Sequence, residues 1–324
     1  MAELLRVEDL TVEFPLEAGV LRAVDHLSFT INEGEAVGIV GESGSGKTVT
    51  ALSIIRLLAG GATIVDGGVW LRGENLATMA EKEMQAIRGR RIAMIFQEPM
   101  TSLNPSYTVG EQVAEVFRYN LGESRSTAKE HAIGLFDRVK LPRPSEMFGK
   151  YPHEFSGGMR QRVMIAIALA CKPELVIADE PTTALDVTIQ AQILSILQEL
   201  QEEMGLALLF ISHNLEVVAQ LCDKVVVMYG AQQLESGRSE QIFASPAHPY
   251  TEALLQSIPR RGSELHPISG TIFDLRQPPD GCRFHPRCPH AQSACSTDVP
   301  PVTTLASEEG EPRQVRCLYP LVQA

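Results

Sequence analysis

Apolar and polar positions follow two periods along this chain. Near the start they read as strands: Leu5, Val7, Leu10, Val12 and Phe14 are scattered through one extended stretch, and Leu21 to Ile31 forms a second. Residues 4–35 are therefore a β-rich entry. The turn Asn32-Glu33-Gly34 leads into a continuous apolar run, Ala36-Val37-Gly38-Ile39-Val40, which reads as a buried strand. Val49 to Leu58 shows helical spacing, and Gly60-Gly61 breaks it. A short strand, Val69-Trp70-Leu71, lies between Gly67 and Gly73, and Ile92 to Phe96 is a further apolar strand that closes on Gln97. Later come the strand Leu175–Ala178, a long helix from Val187 to Met204, the strand Leu206–Ile211, a short helix over 214–222 and the strand Val225–Met228. Ile189, Ile193, Ile196, Leu197, Leu200 and Met204 share one face of the long helix. Strands alternating with helices predict an α/β core with a mainly parallel sheet covered on both faces.

Between about 98 and 170 the pattern changes. Residues 98–105 are loop-rich, amphipathic helices are predicted over 110–119 and 126–139, and another helix opens after Ser156-Gly157-Gly158-Met159 and runs through Ala170. We read this region as a helical insertion into the α/β core. Past residue 258 no long periodic segment survives. Ten of the 20 prolines and four of the six cysteines lie in 259–324, so this part reads as a loop-rich appendage that needs something besides a large core to hold it.

The first candidate chemistry is Gly41-Glu42-Ser43-Gly44-Ser45-Gly46-Lys47-Thr48, set between a buried strand and a helix. This is the context of a P-loop. Glycines let backbone N–H groups converge on a triphosphate without a Cβ in the way, and the helix adds the positive end of its dipole. Lys47 is expected to reach the β- and γ-phosphates of ATP, and the Thr48 hydroxyl to ligand Mg²⁺. Polar residues close three other strands. Asp179 is expected to hold Mg²⁺ through water. Glu180 is placed to orient and polarise the attacking water, and His213 to sense or stabilise the γ-phosphate. Gln97 is expected to touch Mg²⁺ or that water. Phe14 is open to two readings, a platform for the adenine ring or plain core packing.

Charge and length narrow the classes. The 324 residues carry a formal net charge of -12, and the short arginine clusters at 88–91 and 160–162 read as solvated faces, so nucleic acid is a poor partner. The N-terminal residues lack the apolar core of a secretory leader. The longest apolar run, Val163 to Cys171, is too short to span a bilayer, which needs about 20 residues. A membrane role is therefore expected to come through a partner.

The order of the P-loop, Gln97, Phe155-Ser156-Gly157-Gly158-Met159, Asp179-Glu180, Ala184-Leu185-Asp186 and His213 resembles an ABC-transporter nucleotide-binding subunit over about 1–258. Phe155 and Met159 depart from the commonest signature, which has Leu and Gln there; the serine and glycines that face phosphate are kept. Gln97 to Pro105, Ala178 to Thr188 and His248-Pro249-Tyr250-Thr251 are similar to the ATPase subunits of dipeptide, oligopeptide and nickel importers. The resemblance implies an ABC ATPase fold with an antiparallel β subdomain and a helical subdomain. It also implies that the chain pairs head to tail with a second ATPase subunit, usually a homologue. Ser156, Gly157, Gly158 and Met159 would act on the partner's ATP, and Asp186 would lie at the interface. Two membrane permease subunits and an extracytoplasmic solute-binding protein complete such an importer, at the cytoplasmic face of the bacterial inner membrane. Cargo could be di- or oligopeptide, nickel, an opine or a glutathione-like solute. A non-transport ABC ATPase is the weaker alternative, because neither a coiled-coil insertion nor a second ATPase unit is present.

In the appendage, Cys282, Cys288, Cys295 and Cys317 are spaced C-x5-C-x6-C-x21-C. A [4Fe-4S] cluster would take four thiolates. Zinc, with His285 and His290 in reserve, lacks its usual C-x2-C pair. The remaining reading is four unligated thiols. The resemblance implies an iron–sulfur cluster in at least some of these importers; a structural role is expected for it here, since nothing nearby suggests electron transfer. Cys171 and Cys222 read as small core residues.

Overall fold

A computed structural model describes residues 2–17, 19–183, 185–258, 267–305 and 312–322, apart from the side chains of residues 99 and 100. Ala184 lies outside the described residues, as does 259–266, where the appendage is expected to begin.

In chain order the elements are β1 (Glu3–Leu16), β2 (Gly19–Asn32), β3 (Ala36–Val40), α1 (Lys47–Ile54), β4 (Thr63–Leu71), β5 (Glu74–Asn75), α2 (Glu81–Ile87) and β6 (Ile92–Ile95). Then come α3 (Pro99–Ser102), α4 (Val109–Leu121), α5 (Arg125–Arg138), α6 (Pro144–Met147), α7 (Gly157–Leu169), β7 (Leu175–Asp179), α8 (Val187–Met204) and β8 (Ala207–Ser212). The chain closes with α9 (Leu215–Leu221), β9 (Lys224–Tyr229), β10 (Gln232–Arg238), α10 (Ser239–Ala244), α11 (Pro249–Gln256), β11 (Val302–Leu305) and β12 (Arg313–Arg316). They fall into two compact units. The first is Met1–Leu4, Asn32–Glu35 and Met79–Phe210; the second is Leu5–Ile31, Ala36–Thr78 and Ile211–Ala324.

In the first unit, β6 and β7 pair in parallel, with Ile92 opposite Leu175 and Ile95 opposite Ala178, and β8 follows β7 in strand order. Every residue of β7 and β8 is buried, as a strand with both faces covered requires. Helices α3 to α7 follow β6 within this unit. Thr108, Ser124 and Ser156 cap α4, α5 and α7, each hydroxyl accepting a backbone N–H three residues on. Helix α4 buries Val109, Val113 and Phe117 at i, i+4, i+8 and α5 buries Ala128, Ala132 and Leu135 at i, i+4, i+7, each the stripe of an amphipathic helix. The arginine clusters are spent locally. Arg88 pairs with Glu81, Arg91 with Glu174, and Arg160 donates to the Pro152 carbonyl.

In the second unit, β2-β1-β4-β5 form one sheet, and β11-β12-β10-β9-β3 follow one another in a second. Strands β3 and β9 are parallel, with Val37 opposite Lys224 and Val40 opposite Val227; β10 and β12 turn antiparallel.

Several boundaries differ from the sequence reading for identifiable reasons. Helix α1 stops at Ile54 rather than Leu58. Strand β4 starts at Thr63, because β1 supplies a partner ladder well beyond Val69. Strand β6 ends at Ile95, and Phe96 is 38 % exposed. Residues 99–102 form a short helix, not loop. Cys222 is buried as expected, whereas Cys171 is only partly so. The appendage is more ordered than its composition suggests, since β11 and β12 extend the second sheet.

Polar side chains hold the appendage in place. Asp25 is buried, which alone would raise its carboxyl. Arg283, with Gln232 and Arg22, outweighs burial and holds it below the usual carboxylate range. Arg283 reaches Asp25 Oδ2 at 2.6 Å and Gln232 Nε2 donates to the same oxygen at 2.8 Å. His248 caps α11, its Nδ1 accepting from Tyr250 N at 2.9 Å, and burial pushes its pKa down to about 3, so the imidazole is neutral at physiological pH.

Candidate active site

The glycine-rich loop of the second unit leaves the buried strand β3 and opens α1. Gly41 has φ +154°, and a Cβ there would stand 2.1 Å from the Met228 carbonyl oxygen; Gly46 has φ +101°, and its Cβ would stand 2.3 Å from the Ala23 carbonyl oxygen. No other residue fits either position, because the neighbours are backbone and cannot move aside. Between them the chain turns tightly, with Ser45 N donating to the Glu42 carbonyl at 3.2 Å. The Lys47 ammonium is folded into the loop, donating to the carbonyls of Gly41 at 2.8 Å and Glu42 at 3.0 Å. Lys47 is 6 % exposed, so its charge is concentrated inside the turn. This arrangement is a cationic backbone cradle for phosphate at the start of a helix. Phe14, in the same unit, lies at the end of β1 and is only partly buried. His213 follows β8, also in this unit.

The first unit brings Gln97 and Glu180 together. Parallel pairing of β6 and β7 delivers the residues after both strands to the same sheet edge, and Gln97 Nε2 donates to Glu180 Oε2 at 3.2 Å. Thr183 Oγ1 donates to the same oxygen at 2.8 Å. Glu180 has φ +45°, a left-handed conformation that a glutamate adopts at a cost of roughly 1 kcal/mol or more. The strained turn and two hydrogen bonds fix its carboxylate at the strand end. Asp179, the last residue of β7, is 2 % exposed. Neither the left-handed turn nor Thr183 was foreseen; a polar run after a buried strand gives no signal for either.

Ser156 and its glycines open α7 in the first unit. The Ser156 hydroxyl accepts from Met159 N at 3.4 Å. A Cβ on Gly158 would stand 2.4 Å from Ile189 Cγ2, so α7 and α8 approach too closely there for any side chain. Phe155 is buried, which accounts for an aromatic in place of the commoner leucine as core packing. Asp186 caps α8, its carboxylate accepting from Ile189 N at 2.9 Å. One rigid corner thus carries both Ser156 and Asp186.

The four cysteines of the appendage line one small, largely enclosed pocket with His248, Phe284 and His285. Burial raises the Cys282 and Cys288 thiols and pushes Cys317 up to about 11. Among the described residues, no three of these sulfur and imidazole ligand atoms come within 4.8 Å of one another; the three groups that do are the exposed Asp9, His26 and Asp66.

The strand, loop and helix around Lys47 define a P-loop nucleotide-binding protein. Comparison with known proteins narrows the class. Residues 24–183 match the family described as ABC transporter, and residues 234–295 the oligopeptide/dipeptide transporter C-terminal region. The dipeptide transport ATP-binding protein DppD of Escherichia coli K12 is 45% identical over 99% of this chain and 98% of its own. The oligopeptide transport ATP-binding protein OppD of Salmonella typhimurium LT2 is 48% identical over 94% of this chain and 91% of its own. Among solved structures, the dimeric ATP-binding cassette MJ0796, in a post-hydrolysis state with ADP and Pi, superposes with a TM-score of 0.66. It shares 26% identity, over 73% of this chain and 99% of that one. The chain belongs to the ABC-transporter ATP-binding proteins, in the branch that carries the oligopeptide/dipeptide transporter C-terminal region. Its fold is that of an ABC ATPase cassette, and it is an ATPase. No helix of the described residues is long and apolar enough to cross a membrane.

Proposed function

We propose that this chain hydrolyses ATP to energise uptake of di- or oligopeptides through a binding-protein-dependent importer. The observation that carries the reading is the presence, in one chain, of both the ATPase core and the transporter-specific C-terminal region, with peptide-transport relatives along nearly the whole length. In this reading Gly41 to Thr48 hold the phosphates, Lys47 neutralises charge on them, and Thr48 and Asp179 hold Mg²⁺. Phe14 supports the adenine. Glu180 polarises the attacking water, Gln97 keeps that carboxylate in place and touches Mg²⁺ or that water, and His213 senses or stabilises the γ-phosphate. Phosphoryl transfer asks mainly for such positioning and charge neutralisation. Ser156 to Met159 complete the site of a second, homologous ATPase subunit in a head-to-tail pair, with Asp186 at the interface. Two permease subunits hold the pair at the cytoplasmic face of the inner membrane, and an extracytoplasmic protein delivers the solute. Cells lacking this chain should lose uptake of a labelled dipeptide; wild type should restore it and Lys47→Ala should not. Normal uptake with Lys47→Ala would defeat the proposal.

The same reading gives the appendage a [4Fe-4S] cluster held by Cys282, Cys288, Cys295 and Cys317. One observation supports it: all four thiols line one pocket. When bound, the cluster would supply a covalent staple for a segment with little core of its own. Loading would require deprotonation of thiols that burial keeps protonated. Anaerobically purified protein should be brown and hold about four irons per chain; a colourless, iron-free preparation made that way would remove the cluster from the proposal.

A further inference from the structure

A side chain of the appendage reaches the phosphate loop. Arg287 stands between Cys282 and Cys288, at the end of the short helical turn His285–Arg287, and its side chain is 4 % exposed. Its guanidinium forks onto the Glu42 carboxylate, Nη1 donating to Oε2 at 2.7 Å and Nη2 to Oε1 at 3.1 Å. The remaining donors are also used. Nε donates to the Ser269 carbonyl at 2.9 Å, and Nη1 also donates to Tyr229 Oη at 3.3 Å. The guanidinium carbon lies 5.7 Å from the centre of the Tyr229 ring. On its other side Glu42 is held by its backbone, its N–H donating to Tyr250 Oη at 3.0 Å. The second residue of the phosphate loop is therefore fixed at both ends by groups outside the loop.

Charge makes this contact consequential. Glu42 puts a carboxylate into a turn whose other features favour a polyanion. At the separations found within one loop, each phosphate charge facing an uncompensated carboxylate weakens binding by about tenfold or more. A bidentate arginine cancels that charge and sets its direction. We infer that Arg287 is a positioning residue for the phosphate loop: it neutralises Glu42 and holds it outward, so that nucleotide affinity depends on the cysteine-bearing appendage. The inference rests on the reading of residues 41–48 as the ATP site.

The test is MgATP binding by the full-length chain, with KM and kcat measured in the assembled transporter. Arg287→Met should weaken MgATP binding by about tenfold or more, raising KM far more than it lowers kcat. The double variant Glu42→Gln/Arg287→Met has no carboxylate to neutralise and should recover most of the lost affinity. Wild-type affinity in Arg287→Met, or a double variant as weak as the single one, would overturn the inference. If Arg287→Met does not fold, Arg287→Lys is read instead. It keeps the charge without the fork, so its KM for ATP should rise with added salt more steeply than that of the wild type; an identical salt dependence overturns the inference. A wild-type chain that binds no MgATP would defeat the ATP-site reading itself, which is a separate failure.

Discussion

Glu180→Gln should bind MgATP as tightly as the wild type, lower turnover by about 10²–10⁴-fold and leave the ATPase pair locked with nucleotide inside. The argument runs from the strand end outward. Glutamine keeps the size of the side chain and an acceptor oxygen for Gln97 Nε2 and Thr183 Oγ1, which stand 3.2 Å and 2.8 Å from Glu180 Oε2. The left-handed turn at Glu180 is a backbone property and survives the change. What disappears is the negative charge that draws a proton from water as it attacks. Binding energy supplied by the phosphate loop is untouched, so the loss falls on kcat rather than on ATP affinity. The measurement is steady-state hydrolysis in the assembled transporter, paired with nucleotide retention on a sizing column. Thr183→Val is a useful companion, because it removes one donor to the same carboxylate and should reduce kcat without trapping ATP. Normal turnover in Glu180→Gln would remove this residue from the mechanism. A lowered melting temperature with proportionate loss of ATP binding would assign it a structural role instead.

The parts of the molecule that could be read from sequence are those where one local rule decides. Val37 to Val40, Leu175 to Ala178 and Leu208 to Ile211 are continuous apolar runs because both faces of those strands are covered. The phosphate loop was legible because glycine alone tolerates the backbone around Gly41 and Gly46. Strand β10 was not legible. Its buried Gln232, Gln233 and Glu235 look like loop residues until their partners are known: Asp25 for Gln232, Gln314 and Ser236 for Gln233, and Arg313 for Glu235. Burial of polar groups is permitted by pairing, and pairing is a tertiary fact. Strands β11 and β12 are four residues each, too short to show a period. The site divides in the same way. Gln97 and Glu180 were placed near each other in sequence reasoning by their strand-end positions, but their hydrogen bond depends on the register of β6 against β7. The contact of Arg287 with Glu42 spans 245 residues, and no local pattern announces it.

That dependence of the appendage on paired charge gives the largest expected effect on stability. Arg313→Met should destabilise the second unit by about 3–5 kcal/mol. Glu235 is 0 % exposed, and its carboxylate accepts Arg313 Nε at 2.9 Å, Ala247 N at 2.9 Å and His248 N at 3.0 Å. Arg313 is the cation facing it, and it also donates to the Ser245 carbonyl. Methionine fills much of the arginine volume, so packing against Gly237 is largely kept, while the carboxylate stays behind in a dry site with two backbone donors and no countercharge. Such a charge costs far more than the pair contributes when intact. Neutralising both partners, as Glu235→Gln/Arg313→Met, should therefore recover much of the loss, because a neutral amide can still accept from Ala247 and His248. Denaturant unfolding of the three proteins measures the difference, and hydrogen exchange at Val315 and Gln314, which pair with Glu235 and Ser236, locates it. If the single variant unfolds within about 1 kcal/mol of the wild type, the Arg313–Glu235 pair is not what fastens β12 to β10, and the appendage must be held by its cysteine pocket instead.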